Sequence, residues 1–203
     1  LFGNPKNKTL LAGIWDGPTE STTARYLANR TIDLLNQYAA DGKPFFIDCQ
    51  FWGPHPPYLP SREFAGRHSR EAIRPWPNSN DDLKGKPASV QRFRTGFYRK
   101  LPQDWNGWRE LVGLYYDYTS MIDQEIGRIL DRLSQLGLAD NTIVIFEADH
   151  GDMTGSHGLF DKGFMYQEAF RIPLIVRWPA KSRAPRTSDE LVYNMDIFPT
   201  LLD

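Results

Sequence analysis

The sequence predicts an α/β fold in which helices pack on a mostly parallel sheet, and three observations carry that expectation. Residues 110–136 place apolar side chains at three- and four-residue steps, the period of a long amphipathic helix. Thr142-Ile143-Val144-Ile145-Phe146 follows as a β-branched and aromatic run, the signature of a buried strand. Ile172 to Trp178 is a second such run, closed by Pro179. Strands that alternate with a long helix are the pattern of a parallel sheet.

Taken in order, residues 1–18 are rich in Gly, Pro, Asn and Lys and read as loop. A helix is expected from Ser21 or Thr22, with Leu27, Leu34, Leu35 and Tyr38 as its apolar stripe and Asp41-Gly42 as its end. Pro44 to Phe51 reads as a strand. Gly53-Pro54-His55-Pro56-Pro57-Tyr58 is too proline-rich for regular structure. Residues 60–108 form a long, polar, irregular stretch with Trp76, Phe93, Phe97, Trp105 and Trp108 scattered through it, an insertion or a functional loop. The helix over Glu110 to Leu136 carries Leu111, Leu114, Tyr115, Tyr118, Met121, Ile122, Ile126, Ile129, Leu130 and Leu133, and Gly137 stops it. Asp140-Asn141 turns into the 142–147 strand. The C-terminal Thr200-Leu201-Leu202-Asp203 reads as the first turns of a helix entered through Pro199. A first residue of Leu and a last element cut short predict a piece of a longer protein.

Composition bounds the chemistry. The 203 residues are 40% hydrophobic with a net charge of -1, which fits a folded domain and disfavours nucleic-acid binding by the chain as a whole. Cys49 is the lone cysteine, so neither an internal disulfide nor a thiolate zinc cluster can form. Without a run of eighteen apolar residues, no membrane-spanning helix is expected. Residues 62–110 hold eleven Lys or Arg against six Asp or Glu, a local excess of five. That excess is either a solvated face or a basic rim that attracts an anion.

The chemistry-bearing residues gather after the 142–147 strand. Asp149 and His150 are adjacent metal-ligand types where a strand hands over to a loop, the place where open α/β sheets bind ligands. A carboxylate and a neutral imidazole can share one divalent cation: calcium or magnesium on the oxygen side, manganese or zinc with the histidine. Lys162 lies twelve residues beyond His150 and can hold an anion. His55 follows the end of another strand, wedged between prolines. An imidazole so placed can hold and give a proton near neutrality. Each of these also has an ordinary structural reading, as turn aspartate, supporting histidine or solvated lysine.

Together the blocks resemble a known family. Phe45-Phe46-Ile47 with Gly53-Pro54-His55-Pro56-Pro57-Tyr58, Gly137 to Val144, Asp149-His150-Gly151-Asp152-Met153 with Gly155-Ser156-His157-Gly158-Leu159-Phe160-Asp161-Lys162-Gly163, and Arg171 to Pro179 are similar to the type I sulfatases. These are metal- and formylglycine-dependent enzymes of the alkaline-phosphatase-like superfamily. Asp196 to Asp203 resembles the segment that follows there. The likeness covers about residues 20–58 and 110–203 and is weak over 60–108.

The resemblance implies an alkaline-phosphatase-like α/β/α sandwich with a mostly parallel sheet, of which 1–203 is the latter part of one catalytic domain. It implies hydrolysis of sulfate esters. Asp149 and His150 would be metal ligands, for Ca2+ by preference, with Mg2+ or Mn2+ possible. Lys162 would contact the sulfate, and His55 would lie at the sulfate and protonate the leaving alcohol. Asp152, His157, Asp161 and Arg171 would support them. The substrate would be a sulfated small molecule or carbohydrate, and a periplasmic or secreted setting follows from the resemblance alone.

The formylglycine precursor, Cys or Ser in Cys/Ser-x-Pro/Ala-x-Arg, is not where the family has it. Cys49 is followed by Gln50-Phe51-Trp52-Gly53, Tyr58-Leu59-Pro60-Ser61-Arg62 begins with Tyr, and Ser182-Arg183-Ala184-Pro185-Arg186 lies on the wrong side of the His55 block. The nucleophile is therefore expected upstream, and the 203 residues alone are expected neither to bind calcium tightly nor to turn over sulfate esters. A phosphonate monoester or phosphodiester hydrolase of the same superfamily is the alternative enzyme, and a non-catalytic sulfatase-like binding protein the alternative class. Asn7-Lys8-Thr9 and Asn29-Arg30-Thr31 fit the glycosylation pattern, the second inside an expected helix.

Overall fold

A computed structural model describes residues 2–4, 9–94, 101–182 and 184–203. Leu1, the Asn7-Lys8 half of the first glycosylation pattern, Phe97 and Arg183 lie outside the described residues. The first segment is not all loop: β1 (Phe2–Asn4) and β2 (Thr9–Ala12) pair antiparallel. Beyond β2, parallel bridges join Ala12 to Tyr58 and Trp15 to Ser61.

Helix α1 (Thr23–Asp41) begins where the Thr22 hydroxyl accepts from the Arg25 N–H, and it ends at Gly42 with φ 64°. Its buried face is Ala24, Ala28, Thr31 and Leu35, so of the expected stripe only Leu35 is fully covered. Small residues on that face let α1 lie close along α3 (Trp105–Gln135). Polar rungs join the two helices: Arg25 Nε to Glu125 at 2.8 Å, Arg128 Nη2 to Asn29 at 2.9 Å, Arg132 Nε to Asn36 at 2.7 Å. The numbers climb together on both helices, so the helices run in the same direction. Asn29 is committed to one of these rungs and Thr31 is buried, which disfavours the second glycosylation pattern.

Helix α3 starts five residues before the expected Glu110. Asp104 caps it by accepting from Gly107 N–H at 2.9 Å, so the irregular stretch closes at 104 rather than 108. Its far end is the predicted one. Gly137, at φ 69°, donates to Ser134 O, and Leu138 donates to Leu133 O, which satisfies the terminal carbonyls. The buried face runs Trp108, Leu111, Leu114, Met121, Ile122 and Leu133, with two acids among them, Asp117 and Glu125.

The strands depart from expectation. Residues 44–51 form no strand and have no ladder partner among the described residues, and Phe46 is 77% exposed. A strand needs a neighbour to bond, and that neighbour is not a local property of the run. β3 (Val144–Glu147) and β4 (Leu174–Arg177) pair with each other, but antiparallel, with Val144 opposite Arg177 and Glu147 opposite Leu174. The strand pairs formed among the described residues are thus antiparallel, where strand–helix–strand order pointed to parallel pairing. The 142–146 run is also less covered than expected, with Ile143 and Phe146 exposed. At the C-terminal end, α5 (Asn194–Leu202) starts before the proline. Tyr193 N–H donates to the Asp196 carboxylate at 2.8 Å, and Pro199 sits inside the helix rather than at its entry.

The described residues of the irregular stretch, 60–94 and 101–104, are packed rather than detached. Phe64, Ile73 and Leu83 are buried, and α2 (Ala88–Arg92) is a short helix within the stretch. Buried Asp117 on α3 gathers the stretch by accepting from Gly66 N–H, His68 N–H and Arg70 Nη2. Burial alone would push this carboxyl up. The Arg70 guanidinium and the Gly66 and His68 donors outweigh it and hold the group below the usual carboxylate range. Arg70 is thus spent internally, and Arg62 pairs with Asp16, so part of the local positive excess is already neutralised.

Candidate active site

The loop that leaves β3 is built to hold its shape. Met153 N–H donates to Asp161 O and Gly155 N–H to Leu159 O, which folds residues 153–161 back on themselves. Thr154, His157 and Asp161 all take positive φ, and Met153 and Leu159 anchor the loop in a core cluster with Leu83, Phe164 and Ala169. At the loop's start Gly151 N–H donates to Ala169 O at 2.8 Å. A Cβ at Gly151 would overlap the carbonyl oxygen of Glu168, in helix α4 (Gln167–Phe170). Only glycine lets the chain pass that close.

Asp149 and His150 form one pair. His150 Nδ1 lies 2.8 Å from the Gly151 carbonyl, against which it can only donate. In the neutral ring, the form that ligates metals, Nε2 then carries the lone pair, and Nε2 lies 3.4 Å from Asp149 Oδ2. Two ligand atoms on one divalent ion, each about 2.0–2.6 Å from it, lie at about this separation. The chemistry and geometry of the two side chains fit a shared cation. Among the described residues no third His, Cys, Asp or Glu joins them in a metal-sized cluster.

His55 and Lys162 form the second pair. They are 107 residues apart in sequence, and Lys162 Nζ meets His55 Nε2 directly. His55 Nδ1 lies 2.7 Å from Pro56 O, so Nδ1 carries the hydrogen and Nε2 is the acceptor that faces the ammonium. Lys162 also pairs with Asp161 at 3.0 Å. Gly53 seats the His55 loop on α3: a Cβ there would come within 2.6 Å of Ile122 Cδ1 and 2.7 Å of the Tyr118 ring. No hydrogen bond or ion pair links the His55–Lys162 pair to the Asp149–His150 pair among the described residues.

Two residues outside the expected pairs hold the loops together. Tyr58, fully buried, donates its hydroxyl to Asp152 Oδ2 at 2.7 Å, while Thr154 N–H donates to Oδ1. This bond fastens the His55 loop to the Asp149–Lys162 loop. Burial pushes the Asp152 carboxyl above the usual carboxylate range, against the pull of those two donors and the Asp161 backbone. Burial, reinforced by Asp152, also pushes the Tyr58 phenol well up. Tyr115, edge-on to Tyr58, is pushed up to about 12 by burial. The second tether is His157, whose Nδ1 lies 2.6 Å from Asp81 and whose Nε2 lies 3.0 Å from Asn78 Nδ2. The His157 bond, with the Leu83 N–H, holds Asp81 below the ordinary carboxyl value. The imidazole stacks on Tyr166 at 4.1 Å. Asp152 and His157 brace the loop through these bonds, and Tyr58, Asn78 and Asp81 were not legible as their partners. Trp52 was also missed: it stands exposed with its ring 4.6 Å from that of His55.

The family model described as Sulfatase matches residues 1–203. The chain is 32% identical over 187 residues to an arylsulfatase of Clostridium perfringens, covering 88% of this chain and 37% of that protein. It is 46% identical over 82 residues to an N-acetylglucosamine-6-O-sulfatase of Bacteroides thetaiotaomicron, 40% of this chain and 15% of that protein. Among solved structures, the yidJ protein of Bacteroides fragilis, assigned as a sulfatase, matches with a TM-score of 0.66 and 26% identity over 88% of this chain and 36% of that one. A phosphonate monoester hydrolase of Agrobacterium radiobacter matches with a TM-score of 0.71 at 22% identity, over 81% and 34%, which is a likeness of fold. The alkaline-phosphatase-like α/β class is shown by these likenesses, and the chain spans little more than a third of the length of the arylsulfatase.

Proposed function

Because the chain belongs to the sulfatase family, we propose that the protein of which it forms part hydrolyses sulfate esters at a site built by His55, Lys162, Asp149 and His150. The observation that carries this reading is the meeting of Lys162 Nζ with His55 Nε2 across 107 residues. A compact ammonium beside an imidazole acceptor is a cradle for a tetrahedral oxyanion. Lys162 would turn to the sulfate oxygens and hold their charge through S–O cleavage. His55, kept in one orientation by Pro56 O, would present Nε2 to the leaving oxygen and, protonated there, release it as the alcohol.

Asp149 and His150 would hold the metal, for which we propose Ca2+, with Mg2+ or Mn2+ as alternatives. Bound there, the ion would act as Lewis acid and template for the sulfate group. The family's formylglycine nucleophile has no counterpart among the motifs of this chain, and we place it outside these 203 residues. On this reading residues 1–203 are the latter part of one catalytic domain, and residues 60–104 belong to its wall. The name of the N-acetylglucosamine-6-O-sulfatase relative supports a sulfated carbohydrate as substrate.

The test is full-length enzyme on paired 4-nitrophenyl sulfate and phosphate esters. Wild type is expected to prefer the sulfate. Lys162→Ala and His55→Ala are each expected to lower turnover by roughly 10²-fold or more, the scale of losing one oxyanion donor or one general acid. Asp149→Ala is expected to abolish calcium binding measured by calorimetry, independent of activity. Unchanged turnover in Lys162→Ala would refute the anion-site assignment.

A further inference from the structure

We infer that Trp52 is the platform on which the ring of the leaving group stacks, so that the site selects sulfate esters borne on a ring. This rests on the sulfate-ester reading above. Trp52 is 66% exposed and follows the 44–51 segment. Its carbonyl accepts from His55 N–H at 3.2 Å, and its ring lies 4.6 Å from the His55 imidazole at an interplanar angle of 39°. The adjacent Gly53 is pressed against Ile122 and Tyr118 of α3, which fixes the loop on its inner side.

A lone exposed apolar side chain needs no explanation in general. This one differs in its neighbour. His55 Nε2 is the atom that would reach the leaving oxygen, so the first group beyond that oxygen must lie near the imidazole. An indole beside it offers a flat, apolar, rigid face. The complementary chemistry is a ring with an apolar face, either the C–H face of a pyranose or an aryl ring. An acyclic alkyl chain would gain little from such a surface.

The experiment compares full-length wild type, Trp52→Ala and Trp52→Phe on glucosamine 6-sulfate, 4-nitrophenyl sulfate and a short acyclic alkyl sulfate. Trp52→Ala is expected to raise KM for ring-borne esters by about tenfold with kcat little changed, the scale of losing one aromatic stack. The acyclic ester should be unaffected, and Phe should recover most of the loss. The ring ester that suffers more identifies sugar or aryl as the group held. Equal losses on all three esters would show that Trp52 only props His55, and no loss on any would show that it contacts nothing; either overturns the inference. A melting midpoint lowered in Trp52→Ala and in Trp52→Phe alike would show that the indole is covered by protein, which also overturns it. Wild-type preference for the phosphate over the sulfate ester would instead sink the underlying reading, while the ring-against-acyclic split still reports on Trp52.

Discussion

Replacing Tyr58, itself fully buried, by Phe removes one oxygen from the joint between the His55 loop and the Asp149–Lys162 loop. The ring contacts, 5.0 Å from Tyr115 and 5.3 Å from Phe160, remain, so little packing is lost. What disappears is the 2.7 Å bond to Asp152 Oδ2, while the Thr154 N–H and the Asp161 backbone still serve the carboxylate. Hydrogen bonds to charged groups contribute about 1.5–3 kcal/mol, a roughly 10- to 150-fold change in the folded-to-unfolded ratio. The sign of the pH dependence follows from the raised Asp152 value. A carboxyl whose folded value lies above its unfolded one contributes stability that is present below about pH 3.9 and is lost as pH rises through the folded value. Tyr58 pulls that folded value down, so Tyr58→Phe raises it further. The variant's penalty should therefore be small in acid and full once Asp152 is ionised. Urea unfolding of full-length wild type and Tyr58→Phe across pH 4–9 measures it. A cost below about 0.5 kcal/mol, or one that shrinks as pH rises, would refute the reasoning.

Two further outcomes are expected. Gly151→Ala forces a methyl onto the Glu168 carbonyl and should cost about 1–3 kcal/mol of stability and, at the proposed metal site, weaken Ca2+ binding by the full-length protein; unchanged calorimetry and an unchanged urea midpoint would show that the close passage is dispensable. Asp81→Asn should destabilise at neutral pH and converge on wild type only as pH falls from the unfolded carboxyl value, about 3.9, down through the lower folded one, because a depressed carboxyl contributes stability above its unfolded value and loses it as pH falls through the folded one; a difference that widens in acid would remove His157 as the cause.

The helices were the legible part, because caps and periodicity are local. Thr22, Gly42 and Gly137 marked ends that the structure keeps. The start of α3 was missed because Gly107 and two tryptophans in Trp105-Asn106-Gly107-Trp108 disguise a turn that Asp104 caps. Strand pairing was not legible: nothing within 44–51 tells whether a neighbour is present, and nothing within 144–147 or 174–177 tells their relative direction. At the candidate site, the family likeness implied that His55 and Lys162 both face a sulfate, and the structure brings the two side chains into contact. Tyr58–Asp152, His157–Asp81 and the Asp117 hub span 94, 76 and about 50 residues, and polar partners at that range leave no pattern in the sequence.

The rungs between α1 and α3 reach further than the stability of two helices. Tyr118 and Ile122, which bear Gly53, ride on the same rod as Glu125, Arg128 and Arg132. A helix that slipped by one residue would carry that bearing about 1.5 Å along its axis, and misplacement of about 1 Å can cost a reaction roughly 10²-fold. The rungs work as a detent: α3 can settle only where three arginines find their notches, and that stop, remote from any chemistry, sets where the imidazole of His55 comes to rest.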